Sequence, residues 1–572
     1  MTNTTEYNDS TPISGAQALI RTLLNEGIDT LFGYPGGNVI PIYDALYDYQ
    51  DRLHHILARH EQGAVHAAQG YARATGKIGV VLATSGPGAT NLLTGLADAQ
   101  LDSTPLVCIT GQVAQTVLGT DGFQETDIMG ISMPITKWNF QITKPEEIAP
   151  AISKALYIAN TGRKGPVLID FTVNAQNAKC IYQYKKCNFV KSYNPTPHID
   201  KNSIQAAADL INRAERPLAL IGQGVLLAQA ERELTVFLEK TGIPAGCTLM
   251  GMSALPTTHP LHMGMLGMHG KIALNKKTNE CDVLIAIGMR FSSRITGAVS
   301  AYAPQAKVIH LEIDPTELNK IIPVDVPVLG HVKRTLALLT EKVERREHQA
   351  WIDSFKTWDE LEYDKVVRPQ FFPDASHPIT MGEVIHTFNE TAQGQAVVVT
   401  DVGQHQMITS RYVMLRQQRS LITSGGLGTM GFGLPAAIGA KIGRPDQQVV
   451  LFAGDGGIQM TIQELGTILQ YDIPVKIVIL NNSYLGMVRQ WQELFYDKRY
   501  SCTRLDNPDC MQIAEAYRIN HQRVTDRSAL QPAMEAMYAS DKAFLLEIAI
   551  EPNGMVFPMI PAGAPLDQIL YE

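Results

Sequence analysis

The sequence predicts an α/β fold made of three consecutive, doubly wound parallel-sheet domains. Short runs rich in apolar and β-branched residues alternate with helix-length stretches along most of the 572 residues. Because these runs are apolar on both faces, they are typical of parallel strands that helices cover on both sides. At about 150 residues per domain, a chain of this length is expected to hold three or four domains.

Each part of the chain contributes its own predicted strands, in the following order. They cover residues 78–84, 105–110 and 165–171, then 217–222 and 283–288, and finally 396–401, 449–455 and 475–482. No unit of 20–50 residues repeats along the chain, and this argues against a solenoid.

Two stretches interrupt the alternation and indicate the domain boundaries. Residues 181–203 are polar, mixed in character and contain proline, whereas residues 341–377 begin as a charged helix and end in proline-containing coil. The predicted domains are therefore residues 1–185, 200–345 and 375–572.

Composition and charge exclude several classes of protein. The chain has 48 basic and 56 acidic residues and a net charge of −8, without the concentrated basic face of a nucleic-acid-binding protein. No apolar run reaches the roughly eighteen residues of a membrane span, and the polar N-terminus lacks the pattern of a secretory signal. The seven cysteines form no C-x-x-C pair, which predicts reduced thiols in a cytoplasmic protein.

A Gly-Asp-Gly turn and a pair of asparagines predict a site for a metal ion and a diphosphate. Gly454, Asp455 and Gly456 follow one apolar strand, and Asn482 ends the next strand after an intervening helix. A right-handed crossover makes these strands parallel, so both polar ends lie at the ligand-binding edge of the sheet. Carboxylate and amide oxygens suit Mg²⁺, and the glycines let the backbone approach a phosphate. The Gly-Asp-Gly sequence alone would fit a simple tight turn equally well, but the asparagines at this spacing favour the ligand site.

Glu61 is a candidate proton-transfer residue in the first domain. It stands at the start of a predicted helix. An apolar niche around its carboxyl group would raise the pKa of that group and suit it to proton transfer. The alternative is a glutamate placed there because it stabilises the helix N-terminus. His60 and His66 are expected to cap or pack rather than to catalyse. Small residues along this helix permit close packing against a ligand or another chain: Gly63, Ala64, Ala67 and Ala68.

Two groups of motifs carry a resemblance to a known enzyme family. The Gly-Asp-Gly and Asn-Asn pattern, the HEQ sequence at 60–62 and the TSGPGATN sequence at 84–91 resemble thiamine-diphosphate-dependent enzymes. Further segments narrow the resemblance to the acetohydroxyacid synthase (acetolactate synthase) catalytic large subunits over nearly the whole chain. These segments are residues 32–46, 111–128, 264–270, 423–440, 486–501 and 556–570.

The resemblance implies roles for individual residues around thiamine diphosphate and Mg²⁺. Glu61 would activate the cofactor, and Mg²⁺ would be held by Asp455, Asn482 and the backbone carbonyl of Tyr484. Residues implied to place the cofactor are His405, Gln406, Gly428, Met430, Gly454 and Gly456. Residues implied to line the reaction and acceptor pockets are Gly37, Gln124, Arg294, Met487 and Trp491, with apolar walls from Phe123, Met265, Val488 and Phe495; for the methionines and aromatic residues, ordinary core packing is the alternative.

The same resemblance implies that the middle domain binds FAD, which has no redox role in the net reaction. The only local signal is a weak glycine-rich turn at 221–225, of a kind that is common in proteins. The residues implied to lie near the flavin are Arg163, Gly222, Gly224, Met265, His269, Arg290 and Asp314.

The sequence departs from the family pattern at two places. Ser292 and Ser293 stand where the family commonly has two aspartates before Arg294, the arginine implied to bind the carboxylate of the acceptor. Val173 replaces a lysine at the pocket entrance, which removes a cation that could attract 2-oxo acids and inhibitors. Substrate affinity and inhibitor sensitivity are therefore expected to differ from the usual, whereas the class of reaction should not.

The implied activity is the decarboxylation of pyruvate and condensation of the two-carbon unit with pyruvate or 2-oxobutyrate, in valine, leucine and isoleucine biosynthesis. A homodimer or tetramer, with the site between two chains, and a separate small regulatory subunit are implied partners. The alternatives are a catabolic acetolactate synthase without FAD, another thiamine-dependent 2-oxo acid decarboxylase or oxidase, and a non-catalytic homologue that acts as a binding or regulatory partner.

Overall fold

The computed structural model describes residues 11–572, and the chain divides into two compact units. The first unit contains residues 11–195, 424–446 and 460–475, and the second contains residues 196–423, 447–459 and 476–572. The start of the N-terminal segment, in which no secretory signal is predicted, lies outside the described residues. The boundaries predicted for the three domains stay a prediction.

The first unit contains a six-stranded parallel sheet in the order β3-β2-β4-β5-β7-β6, and a two-stranded antiparallel ribbon of β1 with β8. The strands are β1 (Ile13–Ser14), β2 (Thr30–Gly33), β3 (His54–Leu57), β4 (Gly79–Ala83), β5 (Leu106–Gln112), β6 (Trp138–Ile142), β7 (Pro166–Thr172) and β8 (Lys179–Cys180). The first helices are α1 (Gly15–Asn25), α2 (Ile40–Tyr47), α3 (Glu61–Thr75), α4 (Pro87–Thr90), α5 (Leu93–Leu101), α6 (Ile128–Ser132), α7 (Ile148–Asn160) and α8 (Val173–Asn177).

The second unit contains two further sheets, and the middle one has the order β11-β10-β9-β12-β13-β14 with all strands parallel. Its strands are β9 (Pro217–Ile221), β10 (Ala245–Cys247), β11 (His262–Met265), β12 (Val283–Ile287), β13 (Lys307–Glu312) and β14 (Val326–Leu329). The helices of this part are α9 (Lys201–Arg213), α10 (Gly224–Leu227), α11 (Glu231–Thr241), α12 (Ile272–Thr278), α13 (Ser293–Thr296), α14 (Val332–Lys342), α15 (Gln349–Asp353), α16 (Lys356–Glu362) and α17 (Arg368–Phe371).

The third sheet, also parallel, has the order β16-β15-β17-β18-β20-β19. Its strands are β15 (Val397–Thr400), β16 (Leu421–Ile422), β17 (Val449–Gly454), β18 (Lys476–Asn481), β19 (Asn520–Val524) and β20 (Phe544–Ala549). The remaining helices are α18 (Met381–Ala392), α19 (Gln404–Tyr412), α20 (Gly433–Gly443), α21 (Asp455–Gln459), α22 (Leu465–Tyr471), α23 (Gly486–Phe495), α24 (Cys510–Ala516) and α25 (Leu530–Ala539). Three parallel α/β sheets within the described chain confirm the predicted fold class.

The central strands are buried on both faces, as their apolar sequences predict. Every residue of β4, β7 and β12 is buried, because helices cover both sides of a parallel sheet. None of the helices in residues 11–572 has the length and apolar character needed to cross a lipid bilayer. The seven cysteines are free thiols, and a cytoplasmic location stays a prediction.

Both stretches predicted as linkers are more ordered than their polarity indicates. Residues 181–195 carry Tyr182, which is only 2% exposed and whose hydroxyl contacts Thr22 and Asn25. The stretch from 341 to 377 remains helical in several short pieces as far as Phe371, including one π-helical turn at 363–367. Two aromatic residues, Trp351 and Phe355, bury these pieces against the core of the middle sheet.

Candidate functional site

The predicted metal ligands meet at the carboxyl edge of the third sheet, within the second unit. Strands β17 and β18 are parallel neighbours, so Asp455 and Asn482 follow adjacent strand ends. Oδ2 of Asp455 accepts a hydrogen bond of 2.6 Å from the side chain of Asn507. Burial raises the pKa of the Asp455 carboxyl, while Asn507 and the backbone N–H groups of Asn482 and Ser483 oppose the shift.

Asn482 is held in place by two contacts that orient its side-chain amide. Its Oδ1 accepts from the backbone N–H of Tyr484 at 3.1 Å, and its Nδ2 donates to Oε1 of Gln404 at 3.4 Å. Asp455, Asn482 and the nearby backbone offer oxygen atoms, which Mg²⁺ prefers and completes with phosphate or water. Among the described residues 11–572, no group of three His, Cys, Asp or Glu side chains could hold a metal ion. The candidate metal site that both the sequence and the structure indicate is therefore this mixed set of carboxylate, amide and backbone oxygens.

A buried histidine at the same edge has an unsatisfied ring nitrogen that fits a phosphate group. His405 lies in the first turn of α19, directly after β15, and its Nε2 is buried with no hydrogen-bond partner in the described structure. Burial lowers the pKa of the ring to about 4, which keeps the imidazole neutral near pH 7. A Cβ atom on Gly454 would lie 3.0 Å from Nδ1 of this ring, so a larger residue here would require the imidazole to shift. The neighbouring Gln406 donates to Oγ1 of Thr423 at 2.7 Å.

These residues surround the topological switch point of the third sheet. The chain places β16 on one side of β15 and β17 on the other, and ligands of open α/β sheets bind in the crevice that this reversal creates. Gly454 ends β17, and Asp455 and Gly456 begin α21. The geometry therefore fits a metal ion on the oxygen ligands of the two strand ends, with a phosphate next to the unpartnered Nε2 of His405, which would donate to it when that nitrogen carries the proton.

In the first unit, Glu61 lies at the carboxyl edge of the first sheet. It is 9% exposed at the start of α3, and its Oε2 accepts from the side chain of Asn91 at 2.9 Å. A Cβ atom on Gly88 would approach its Oε1 to 3.2 Å, and one on Gly86 would approach the backbone oxygen of Gln124 to 2.9 Å. The turn at 84–88 therefore separates Glu61 from Gln124 and brings both to the same edge.

The two histidines near Glu61 have structural roles, as expected. His60 is the N-cap of α3, where its Nδ1 accepts from the backbone N–H of Gln62 at 3.0 Å. His66 is completely buried, contacts the ring of Phe432 and has a pKa lowered to about 3 by burial. The small residues of α3 serve close packing against α20, where Ala67 faces Gly439 and Gly70 faces Ala436.

The remaining residues implied for the cofactor and the substrates lie on loops and on one amphipathic helix. Gly428 and Met430 belong to the loop before α20 in the first unit, and Gly37 begins a 3₁₀ turn after β2 with open space above its Cα. In the second unit, α23 carries Met487 against the core, and the rings of Trp491 and Phe495 lie 5.0 Å apart. The predicted wall residues Phe123, Val488 and Phe495 are exposed in the single chain.

Six residues implied to bind a flavin gather at the carboxyl edge of the middle sheet. Here β9 and β12 flank the switch point, and Gly222 and Gly224 pack directly on Gly288 after β12. The six lie at or just beyond the ends of four strands: Gly222 and Gly224 after β9, Met265 and His269 around the end of β11, Arg290 after β12 and Asp314 after β13. The seventh, Arg163, belongs to the first unit, where it donates to Oγ of Ser103 at 3.1 Å.

The structure shows the surroundings of Arg294 and of Val173, the two positions at which a departure is predicted. Arg294 is exposed and donates from Nη1 to Sδ of Met268 at 3.0 Å, and no carboxylate lies within ion-pair distance of it in the part of the chain described. The neighbouring Ser293 supplies no charge to this arginine. Val173 is partly buried as the first residue of α8.

Two residues that hold the predicted metal ligands in place were not predicted from the sequence. Gln404 connects Asn482 to Gln490 and to the backbone oxygen of Gly554, and its position beside His405 was an available signal. Asn507 contacts Asp455 from a distant loop, and no local pattern marks it.

Comparison with known proteins agrees with this arrangement of sheets and sites. Residues 13–131, 204–339 and 401–548 match models of the N-terminal TPP binding domain, the central domain and the C-terminal TPP binding domain of thiamine pyrophosphate enzymes. The acetolactate synthase large subunit of Corynebacterium glutamicum is 44% identical over 98% of this chain and 90% of that protein. The isozyme 2 large subunit of Escherichia coli is 43% identical over 98% and 100% of the two chains, and a probable acetolactate synthase large subunit of Methanocaldococcus jannaschii is 43% identical over 98% and 95%.

Proposed function

Because the chain belongs to the acetolactate synthase large-subunit family of thiamine pyrophosphate enzymes, we propose that it decarboxylates pyruvate and condenses the two-carbon unit with pyruvate or 2-oxobutyrate. The products are the precursors of valine, leucine and isoleucine. The observation that carries this proposal is the meeting of Asp455, Asn482 and the orphaned His405 nitrogen at one switch point.

We propose that this edge of the third sheet holds thiamine diphosphate through Mg²⁺. Asp455, Asn482 and the Tyr484 carbonyl would bind the metal, while His405, Gln406, Gly454 and Gly456 face the diphosphate. Gly428 and Met430 would contact the cofactor rings. When bound, the cofactor supplies the electron sink that decarboxylation requires, and the protein supplies position and a low-dielectric surrounding.

Glu61 is proposed to exchange a proton with the ring nitrogen of the aminopyrimidine. Its carboxyl group is buried, and one oxygen already accepts from Asn91, which leaves the other oxygen beside Gly88 to face the cofactor. Positioned proton transfer of this kind contributes about 10²–10⁴-fold to a rate.

We propose roles in binding the acceptor for several of the residues named above. Arg294 would bind the carboxylate of the 2-oxo acid as a two-pronged donor, while Trp491 and Met487 shape the space for its alkyl group. Gly37 and Gln124 would line the reaction side of the pocket. The absence of an acidic neighbour beside Arg294 is expected to weaken the orientation of this arginine.

We further propose FAD as a second cofactor, at the switch point of the middle sheet. Gly222 and Gly224 pack closely on Gly288 just after β9, at the strand ends where open α/β sheets bind dinucleotides. Arg163, Met265, His269, Arg290 and Asp314 are the proposed contacts. A homodimer or tetramer, a separate small regulatory subunit and a cytoplasmic location complete the proposal, which for the subunit rests on the large-subunit names of the relatives.

The proposal is tested by the Glu61→Gln variant, which keeps the shape of the side chain but removes its titratable proton. We expect acetolactate formation from pyruvate to fall by at least about 100-fold, with no change in secondary structure. The matched control is Glu535→Gln, which neutralises an exposed carboxylate on α25 and should keep full activity.

The products and the bound flavin separate this proposal from its alternatives. The purified wild-type protein should carry flavin and form acetolactate, and it should form 2-aceto-2-hydroxybutyrate when 2-oxobutyrate is added. Acetaldehyde or peroxide as the main product would indicate a decarboxylase or an oxidase. Unchanged turnover in Glu61→Gln would overturn the role of this residue.

A further inference from the structure

The loop that carries Gly428 and Met430 has little conformational order of its own. Residues 424–431 read Ser-Gly-Gly-Leu-Gly-Thr-Met-Gly, and two of these glycines adopt positive φ angles of 71° and 85°. Glycine loses more backbone freedom on ordering than any other residue. A loop of this composition must therefore be held by contacts from outside if it is to present a fixed surface to a ligand.

Two buried carboxylates at the end of α5 supply these contacts within the first unit. Asp102 accepts from the successive backbone N–H groups of Gly425 and Gly426 at 3.0 and 2.7 Å, using both of its oxygens. Asp98 accepts with Oδ1 from the hydroxyl groups of Ser424 and Thr429, the latter at 2.9 Å.

A hydrogen bond within the loop also joins Thr429 to Ser424. The backbone N–H of Thr429 donates to Oγ of Ser424 at 2.9 Å, so the two residues bound to Asp98 also bind each other. A Cβ atom on Gly426 would lie 2.8 Å from Oδ1 of Asp102, which shows how closely the backbone approaches the carboxylate. Gly428 and Met430 are the neighbours of Thr429 in the chain, so the contacts that hold Thr429 also fix their positions.

Arg73 compensates the charge of the two aspartates and connects them to the Glu61 helix. Its Nη2 lies 2.8 Å from Oδ2 of Asp102 and 3.5 Å from Oδ2 of Asp98. The two residues are 0% and 2% exposed, and a buried carboxylate requires an oppositely charged or hydrogen-bonding partner to offset its desolvation. The guanidinium group also lies 5.1 Å from the ring centroid of Phe432, just beyond the loop.

We propose that Asp98 and Asp102 are positioning residues that hold the loop of residues 424–431 so that Gly428 and Met430 can bind thiamine diphosphate. The inference rests on the proposed function, because the roles of Gly428 and Met430 belong to it. It assigns to the C-terminal end of α5, including the capping residue Asp102, the ordering of a cofactor-binding loop in advance of binding. Such preorganisation lowers the entropy that the ligand would otherwise have to remove.

The test compares Asp98→Asn and Asp102→Asn with the wild-type holoenzyme after removal and return of the cofactor. An asparagine has one acceptor oxygen where aspartate has two, so Asp102→Asn leaves one glycine N–H of the loop without its acceptor. We expect the Kd for thiamine diphosphate, measured by titration calorimetry with excess Mg²⁺, to rise about 10-fold or more. The kcat at saturating cofactor should stay within about threefold, and amide hydrogen exchange in residues 424–431 should accelerate at least about 10-fold.

A control and a milder variant keep the test decisive. Asp170→Asn neutralises a buried aspartate of the same unit that accepts hydrogen bonds from Thr110, Gln112 and Gln141, and it should leave the cofactor Kd unchanged. If an aspartate variant does not fold, Thr429→Val removes only the hydroxyl that binds Asp98 and should raise the Kd about threefold.

The outcomes distinguish this inference from the proposed function. Wild-type affinity and wild-type exchange rates in the folded variants would overturn the inference alone. A wild-type protein that binds no thiamine diphosphate would overturn the proposed function and this inference together.

Discussion

A buried ion pair in the second unit offers a direct test of how α19 is connected to the middle sheet. Nη2 of Arg411, near the end of α19, lies 2.6 Å from Oε1 of Glu362, and both side chains are 3% exposed or less. The same arginine donates from Nη1 to the backbone oxygens of His269 and Gly270 at 2.8 and 3.1 Å. Oε2 of Glu362 accepts from the backbone N–H of Ile272 at 2.6 Å.

The change Glu362→Gln should be costly because both oxygens of the carboxylate are in use. Arg411 and Ile272 donate to different oxygens of Glu362, so in a glutamine one of these two donors would face an NH₂ group, which is itself a donor. The change also leaves the guanidinium charge without a counter-ion in a buried place, and breaking a buried pair costs about 3–5 kcal/mol. We expect the free energy of unfolding of the second unit to fall by that amount.

Urea denaturation followed by tryptophan fluorescence measures this effect in the relevant unit, since Trp351, Trp358 and Trp491 all belong to it. The matched control is Asp359→Asn on the same helix. Its partner Lys271 is 2.8 Å away, but both side chains are about a third exposed, so the loss should be below about 1 kcal/mol. Because the pair orients the segment that begins with His269, Glu362→Gln should also retain less flavin. Equal losses in the two variants would refute the reasoning.

Two further predictions concern a titration and the pocket mouth. Burial raises the pKa of Asp170 from 3.8 to about 6, so proton binding stabilises the folded state at low pH and this stability is lost as the pH rises through 6. Between pH 5 and 8 the wild type should lose about 1.4 kcal/mol relative to Asp170→Asn in urea titrations, and a constant difference would contradict this. Ser293→Asp should place a carboxylate beside Arg294 and lower the KM for the acceptor by up to about fivefold at unchanged kcat. The effect is limited because an exposed ion pair contributes at most about 1 kcal/mol. A higher KM in steady-state assays would contradict this prediction.

The buried strands could be predicted from the sequence because their surroundings are uniform. The run predicted at 283–288 is the strand Val283–Ile287, and the run at 475–482 is Lys476–Asn481. This signal is weaker at some sheet edges: the edge strand β19 is largely polar, and only two of the four residues of the edge strand β3 are apolar. An edge strand has one neighbour and partial exposure, so its sequence does not need to be continuously apolar.

The linkers were harder to interpret because single aromatic residues decide their packing. The stretch after 341 is rich in charge, yet Trp351 and Phe355 are 6% and 2% exposed, and their rings meet edge to face with centroids 5.4 Å apart. Average polarity over such a window hides two side chains that bury large areas. The same holds for Tyr182 in the stretch after 181, whose partners Thr22 and Asn25 lie far away in the sequence.

The candidate site contains two groups of residues: those proposed to contact a ligand, and those that hold the first group in place. Asp455, Asn482 and His405 occur in local patterns, because a strand end, a turn and a helix start must coincide to expose such groups to a ligand. Asp98 and Asp102 occur in no such pattern: acidic residues four apart on a helix usually form a solvated face. Their partners, the backbone N–H groups of Gly425 and Gly426, lie more than 300 residues later in the chain. Every non-proline residue has a backbone N–H group, so nothing in the sequence indicates which glycine N–H will donate to a distant carboxylate. Only the packing of α5 against this loop turns an ordinary acidic helix end into the support of a cofactor-binding segment.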